Sequence, residues 1–303
     1  MSGAHVGGGA GFGGHLADSA RSMLADAHQA LANSALTDAE RVHELRKAFK
    51  RWRALLRLLA GPIGEPAEAM RREARELMRS LSGARDVQGA LDAVDDLMRG
   101  ESGLSPRTQQ TIRSRLAALR DAAESACLTP EAHSAITAHL DRAGETLAAW
   151  PLADIDFAAV ADALAVTYRR ARQLTPDDWQ DVDPAHLHEL RRRVVEHRHQ
   201  MELIEPLWPR VTKAWAEEAQ RLRNQLGACQ DLAVLATFLA PHRPLAPWRS
   251  RLTPLIAARH AAHLKSAARL AGRLFAEKPK AFRKRIAALW TARKRRKSAN
   301  QDG

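Results

Sequence analysis

From Leu16 almost to the C-terminus, apolar residues recur at intervals of three and four, the spacing that lines one face of an α-helix. Helix-breaking punctuation interrupts that rhythm at Thr37-Asp38, Gly61-Pro62, Gly100 to Pro106, Thr129-Pro130, Trp150-Pro151, Thr175-Pro176 to Pro184, Pro206 to Pro209, Pro241 to Pro247 and Lys278-Pro279. About ten helical segments lie between the breaks, of lengths suited to antiparallel packing. β-branched clusters are sparse, so an all-α protein with essentially no strand is predicted. On a helix over residues 42–59, Leu45, Ala48, Phe49, Trp52, Leu55, Leu56 and Leu59 share one side, which is the predicted core face.

The pattern also repeats. Val42-His43-Glu44-Leu45-Arg46-Lys47 returns as Leu187-His188-Glu189-Leu190-Arg191-Arg192, 145 residues on. At that same offset Leu81-Ser82-Gly83-Ala84-Arg85-Asp86 meets Leu226-Gly227-Ala228-Cys229-Gln230-Asp231. Unrelated helices have no reason to keep the distance between two motifs, so the shared offset points to duplication. The expected architecture is two tandem, pseudo-symmetric antiparallel helical bundles forming one duplicated domain over residues 16–290, with halves at about 16–150 and about 154–290. Residues 1–15 read as a flexible glycine-rich tail and residues 291–303 as a basic disordered tail.

Composition agrees and adds charge. Aromatics are 5% of the 303 residues, with one tyrosine, and Ala, Leu, Arg and Glu dominate, which favours helix. The net charge of +12 predicts attraction to polyanions and leaves the fold open. Cys127 and Cys229 belong to no Cys-x-x-Cys pair, so they read as two buried thiols rather than a disulfide framework or zinc site. The glycine-rich start has neither a basic nor an apolar signal region, and no apolar run approaches the roughly 20 residues of a membrane span. A soluble, cytoplasmic protein that does not enter membranes is the expectation; oligomeric state is left open.

Opposite the core face of residues 42–59, His43, Arg46, Lys47, Lys50, Arg53 and Arg57 fall within an arc roughly 120° wide that holds no acid. Solvated helix faces usually mix signs, because like charges three or four apart repel by about 0.2–0.5 kcal/mol per pair. Either acids of neighbouring helices complete the stripe or an external anion does. In the second half His188, Arg191, Arg192 and Arg198 repeat it, joined by His199, but Val195 stands at the position equivalent to Lys50 and Glu202 at that of Arg57. His197 falls on the packed side, at the position equivalent to Trp52, and reads as a structural histidine with a hydrogen-bond partner. Arginine presents a planar pair of donors to phosphate oxygens and lysine a mobile point charge, so a stripe with both suits a phosphate chain. A bound phosphate favours the imidazolium form of His43 and His188, making their charge depend on pH and occupancy.

At these residues the sequence resembles the CHAD family, a histidine-containing α-helical domain of two similar halves. The resemblance is carried by His43-Glu44-Leu45-Arg46-Lys47, His188-Glu189-Leu190-Arg191-Arg192, the segments ending at Asp86 and Asp231, and Tyr168-Arg169-Arg170-Ala171-Arg172, and it covers roughly residues 16–290. It implies a central basic groove that binds inorganic polyphosphate without turnover, no cofactor, Arg169 and Arg170 among the binding residues, and polyphosphate granules as a cellular address. Departures at Val195, Glu202 and Gln230 imply unequal halves. Arg120, Arg259, Lys265, Arg269 and Arg273 lie on long later helices; Arg120, Arg259 and Lys265 join the candidate set.

Two other functions compete. A metal-dependent phosphohydrolase is suggested by thirteen histidines and many acids. Metal ligation on a helix needs its ligands on one face, yet neither His43-Glu44 nor His188-Glu189 has a histidine four residues on, and His186 and His188, like His197 and His199, point to nearly opposite sides. No catalytic residue and no metal ligand is therefore assigned. Nucleic-acid binding, the weaker partner reading, is suggested by the charge and by Arg293-Lys294-Arg295-Arg296-Lys297. The basic stripes lack the aromatics on which single-stranded bases stack, and the terminal run reads as a sequence-independent electrostatic arm.

Overall fold

The computed structural model describes residues 11–81, 85–100, 103–124 and 128–299. The expectations for residues 1–10, Gly83, Ala84, Cys127 and 300–303 lie outside the described residues. Among those described there are eleven α-helices and no strand: α1 Phe12–Ala32, α2 Asp38–Leu59, α3 Glu65–Ser80, α4 Arg85–Met98, α5 Pro106–Glu124, α6 Pro130–Ala149, α7 Phe157–Gln173, α8 Pro184–Leu203, α9 Pro209–Thr237, α10 Arg249–Leu274 and α11 Pro279–Ala299. Short 3-10 turns at Leu152–Asp154, Glu205–Leu207 and Ala246–Trp248 link them. No described helix is long and apolar enough to cross a membrane.

Local chemistry sets the helix that matters most. Thr37 and Glu40 form a reciprocal capping box: the Glu40 amide donates to Thr37 Oγ1 at 3.3 Å and the Thr37 amide donates to Glu40 Oε2 at 2.9 Å. Two otherwise unsatisfied donors are met there, which fixes the start of α2. All seven residues of its predicted core face are buried. α8 starts on Asp183, which accepts from the Ala185 amide at 3.1 Å, with Pro184 in the first turn, where a missing N–H costs nothing.

The helices enclose two apolar clusters. The larger draws on α1, α2, α3, α6, α7, α8, the first part of α9, the end of α10 and α11; the smaller joins α4 and α5 to the last part of α9 and the first part of α10. Each cluster therefore takes helices from both halves of the chain. α2 packs on α8 and α4 on α9, so the halves meet along helices carrying the repeated motifs.

Helix extends past the domain limits expected from the sequence, from Phe12 in α1 to Ala299 in α11. α1 begins at Phe12, before Leu16, because Phe12 is buried against Phe157 and Trp290, with ring centroids 5.0 and 5.7 Å away. Gly13 permits that contact: a Cβ there would sit 2.0 Å from the Leu152 carbonyl oxygen. The basic run expected to be disordered is helical through Ala299. Cations near a helix C-terminus interact favourably with its dipole, and Arg293 and Lys294 lie over the Trp290 ring at 5.6 and 5.2 Å.

His197 is a packing residue, as its place opposite the basic arc implies, but its Nδ1 is buried with no hydrogen-bond partner. Tyr168, Phe275 and Phe282 surround the ring at 5.7–5.9 Å. Burial, reinforced by Arg285, pushes its pKa down to about 4. The unfolded chain takes up this proton near pH 6.5 and the folded chain does not, so stability is retained above about 6.5 and lost as pH falls toward 4. Unfolding in urea is expected to show a loss on the order of 2 kcal/mol between pH 7 and 5, absent from His197→Leu. An equal slope in the variant assigns the loss to other groups.

Candidate functional site

The N-terminal part of α2 and the C-terminal part of α8 open on one cavity of about 1640 Å³, closed further by residues of α1, α4, α9 and α10. Of the sequence-derived candidates, His43, Arg46, Lys47, Lys50, Arg191, Arg198 and Arg259 line it. His43, Lys47 and Lys50 are exposed there. Arg46 Nη1 donates to the Leu81 carbonyl at 3.2 Å, just past the end of α3, while Lys47 Nζ lies 3.1 Å from Glu44. Arg191 Nη1 donates to Gln230 Oε1 at 2.8 Å, and its guanidinium rests against Gly227, where a Cβ would lie 3.4 Å from Nη2. Gly227 thus makes room for an arginine from within α9, and no phosphate-cradling loop is involved.

The lining is not purely basic. Arg51, Arg99 and Arg223 bring its Lys and Arg residues to nine, and Asp18, Asp92, Asp96, Glu202, Glu205 and Asp231 supply six acids among the described residues. Arg51 sits just outside the predicted arc and pairs with Asp26 of α1 at 2.8 Å. Glu202 accepts from Arg198 at 2.8 Å and lies 2.8 Å from His199 Nδ1. Burial opposes ionisation of Glu202, but His199 and Arg198 outweigh it and hold the carboxyl below its ordinary range. Burial lowers the pKa of His199 itself, against the pull of Glu202. No phenylalanine, tyrosine or tryptophan lines the cavity among the described residues.

Asp96 is the hub at the other wall. Arg259 reaches it from α10 through Nε at 2.8 Å and Nη2 at 2.7 Å, His263 Nε2 lies 2.7 Å away, and Arg99 adds a contact at 3.1 Å. His263 Nδ1 sits 2.8 Å from Gln225 Oε1 of α9, so the cluster ties three helices together. The hydrogen bonds from Arg259, then those from His263, hold the Asp96 carboxyl well below the usual carboxylate range despite burial. Sequence spacing gives no hint of this group, because Asp96 lies more than 120 residues from Gln225, Arg259 and His263 and meets them only through tertiary packing.

The remaining candidates go elsewhere. Arg53, Arg57 and Arg192 join Arg71, Arg75 and Arg193 in a separate cluster among Glu68, Glu189 and Glu196. Arg57 lies 2.8 Å from Glu68 and 3.9 Å from Glu196; Arg71 pairs with Glu68 at 2.8 Å, Arg193 with Glu196 at 2.9 Å, and Arg192 with Glu189 at 2.7 Å. Burial pushes Arg53 down to about 10, opposed by Glu196 and reinforced by Arg192, Arg71 and Arg75, so it stays cationic at neutral pH. For this end of the stripe, acids of neighbouring helices supply the counter-charge. Arg170 is exposed near Glu68, and Arg169 is exposed on the same helix. His188 Nδ1 lies 3.0 Å from Gln230 Oε1 and does not line the cavity. Arg120 bonds Asp121 at 2.8 Å and reaches Gln88 of the cavity wall at 3.5 Å, and Lys265 is exposed on α10; neither lines the cavity itself.

The described residues form helices and no strand, and α2 and α8, which carry the repeated histidine motif, wall one cavity lined by both cations and acids. A family model described as the CHAD domain matches residues 17–240, and the chain belongs to the CHAD domain family. Two solved structures share the fold. PptA from Streptomyces chartreusis aligns over 88% of this chain and 99% of its own, with a TM-score of 0.59 and 20% identity. The CHAD domain from the plant Ricinus communis aligns over 92% of each chain, with a TM-score of 0.58 and 19% identity. A comparison with curated proteins gives no match.

Proposed function

We propose that the protein binds inorganic polyphosphate, without turning it over, in the cavity between α2 and α8, and that this binding attaches it to polyphosphate granules. The observation that carries the reading is the convergence of His43, Arg46, Lys47 and Lys50 with Arg191 and Arg198 on that one cavity. Its volume exceeds the roughly 300–1,000 Å³ of ordinary small-molecule pockets, which suits an extended ligand. A lining of arginine, lysine and histidine without aromatic rings offers phosphate oxygens many donors and nucleobases no stacking surface. The interleaved acids fit a ligand held by several separate contacts rather than by one uniform positive wall.

Competition tests this. Labelled long-chain polyphosphate bound to the protein at physiological salt is challenged with unlabelled polyphosphate, single-stranded DNA and duplex DNA at equal phosphate concentration. Displacement by polyphosphate at concentrations at least about tenfold lower is the expected result, a difference of about 1.4 kcal/mol. Equal displacement by either nucleic acid replaces the reading with general polyanion binding.

A further inference from the structure

Past Trp290 the last helix leaves the core. Phe282 and Ile286 are buried, and Leu289 and Trp290 are half-buried against the main cluster, whereas residues 291, 292 and 294–296 are exposed. Lys294, Arg295 and Arg296 of the run Arg293-Lys294-Arg295-Arg296-Lys297 are among the exposed residues, and the run lies beyond the residues matched by the family model. Both earlier arginines of α11 have acids: Arg283 pairs with Asp162, and Arg285 with Glu277 at 2.5 Å. Among the described residues no acid lies within ion-pair distance of Arg295 or Arg296. The helix dipole favours cations here by roughly 0.3–1 kcal/mol each, but Arg293 and Arg296, three apart, repel one another. Helix stability alone does not account for successive cations at every azimuth.

We propose that this terminal turn is a binding site for the backbone of double-stranded nucleic acid, engaged without regard to base sequence. At 100° per residue, positions 293–296 encircle the helix, so positive charge faces every side. A helix about 10–12 Å across enters a major groove about 12 Å wide, where phosphates of two strands flank it and cations on opposite sides all find partners. A single phosphate chain lies along one side only. A membrane surface needs an apolar face, and that of α11 is already spent in the core. A single strand needs an accessible ring, yet Trp290 is stacked on Phe157 with centroids 4.8 Å apart and covered by Arg293 and Lys294. None of these cations lines the cavity, and α11 packs on α7 and the turn at Glu205–Leu207. Duplex binding here stands whether or not the cavity takes polyphosphate; the corollary that one chain holds both at once rests on that reading.

The test is fluorescence anisotropy of a labelled, mixed-sequence duplex of about 20 base pairs with the full chain at varied salt. Replacing Arg293, Lys294, Arg295, Arg296 and Lys297 with alanine is expected to lower duplex affinity at least tenfold. The slope of log K against log salt is expected to fall by about 3, at ~0.9 for each phosphate no longer neutralised. The exposed pair Arg295→Glu and Arg296→Glu, which leaves the core face intact, is expected to act in the same direction. A cavity variant, Arg46→Ala with Lys47→Ala and Lys50→Ala, is expected to keep its duplex affinity. Unchanged duplex binding in the arm variants overturns the proposal, as does equal loss in the cavity variant, which places the duplex in the cavity. Equal arm-dependent affinity for the matching single strand, or for phosphatidylserine vesicles, overturns it in favour of those ligands.

Discussion

Arg46→Ala, Lys47→Ala and Lys50→Ala combined are expected to weaken binding of long-chain polyphosphate by ~10²–10³-fold. A hydrogen bond to a charged group contributes about 1.5–3 kcal/mol, and solvent exposure of Lys47 and Lys50 brings their share to about 1 each. With Arg46 near the low end of that range because it already donates to the Leu81 carbonyl, the three substitutions together cost roughly 3.5–4 kcal/mol, at about 1.4 kcal/mol per tenfold. The slope of log K against log salt is expected to shrink by about 2–3 through smaller counterion release. The pair that lines the cavity from the second half, Arg191→Ala with Arg198→Ala, is expected to cost less. Those guanidiniums also bind Gln230 and Glu202, and Val195 stands where the first half has Lys50. Equal losses from the two halves contradict that ranking, and no loss from the triple variant removes the cavity as the site. In cells, a tagged wild-type chain is expected on polyphosphate granules and the triple variant diffuse.

The apolar periodicity was sufficient to locate α2, its buried face and its start at Thr37, because all three depend on local chemistry. It also placed six cations on one arc. It did not show that the arc is cut in two, because an azimuth on one helix says nothing about what stands opposite. The cut falls between Lys50 and Arg53, along the helix that packs on α8 and accepts from Gln200 Nε2 at the Ala54 carbonyl, 3.3 Å away. Before the cut, His43 to Lys50 open on the cavity; beyond it, Arg53 and Arg57 meet Glu68 and Glu196. Arg51, outside the arc, lines the cavity because α1 approaches from that side with Asp26. Composition misled at the chain's first helix for a related reason. Glycine is a poor helix former in isolation, yet Gly13 is required where α1 touches the Leu152 carbonyl. The acids of the cavity were equally hidden, since Asp18, Asp96 and Asp231 come from three helices remote in sequence.

Asp96→Asn is expected to destabilise the fold by about 2–4 kcal/mol, lowering the thermal midpoint by several degrees. Asp96 is 8% exposed and receives two guanidinium bonds from Arg259, so the neutral amide leaves a cation facing a group that no longer compensates it. The loss falls on the smaller core cluster, where α4 meets α9 and α10. The pH dependence has a defined sign. Asp96 is held below its unfolded value near 3.9, so its contribution is present above that pH and erodes as pH falls through the lower folded value. Wild type and variant are therefore expected to differ most at neutral pH and to converge in acid, as measured by urea unfolding at pH 7 and below 3. Arg259 also lines the cavity, and its release from Asp96 frees a guanidinium for an anion. Polyphosphate affinity is thus expected to hold or rise in a variant that loses stability. That opposition separates the two roles of Arg259, since a clamp that merely shaped the cavity would lose affinity and stability together.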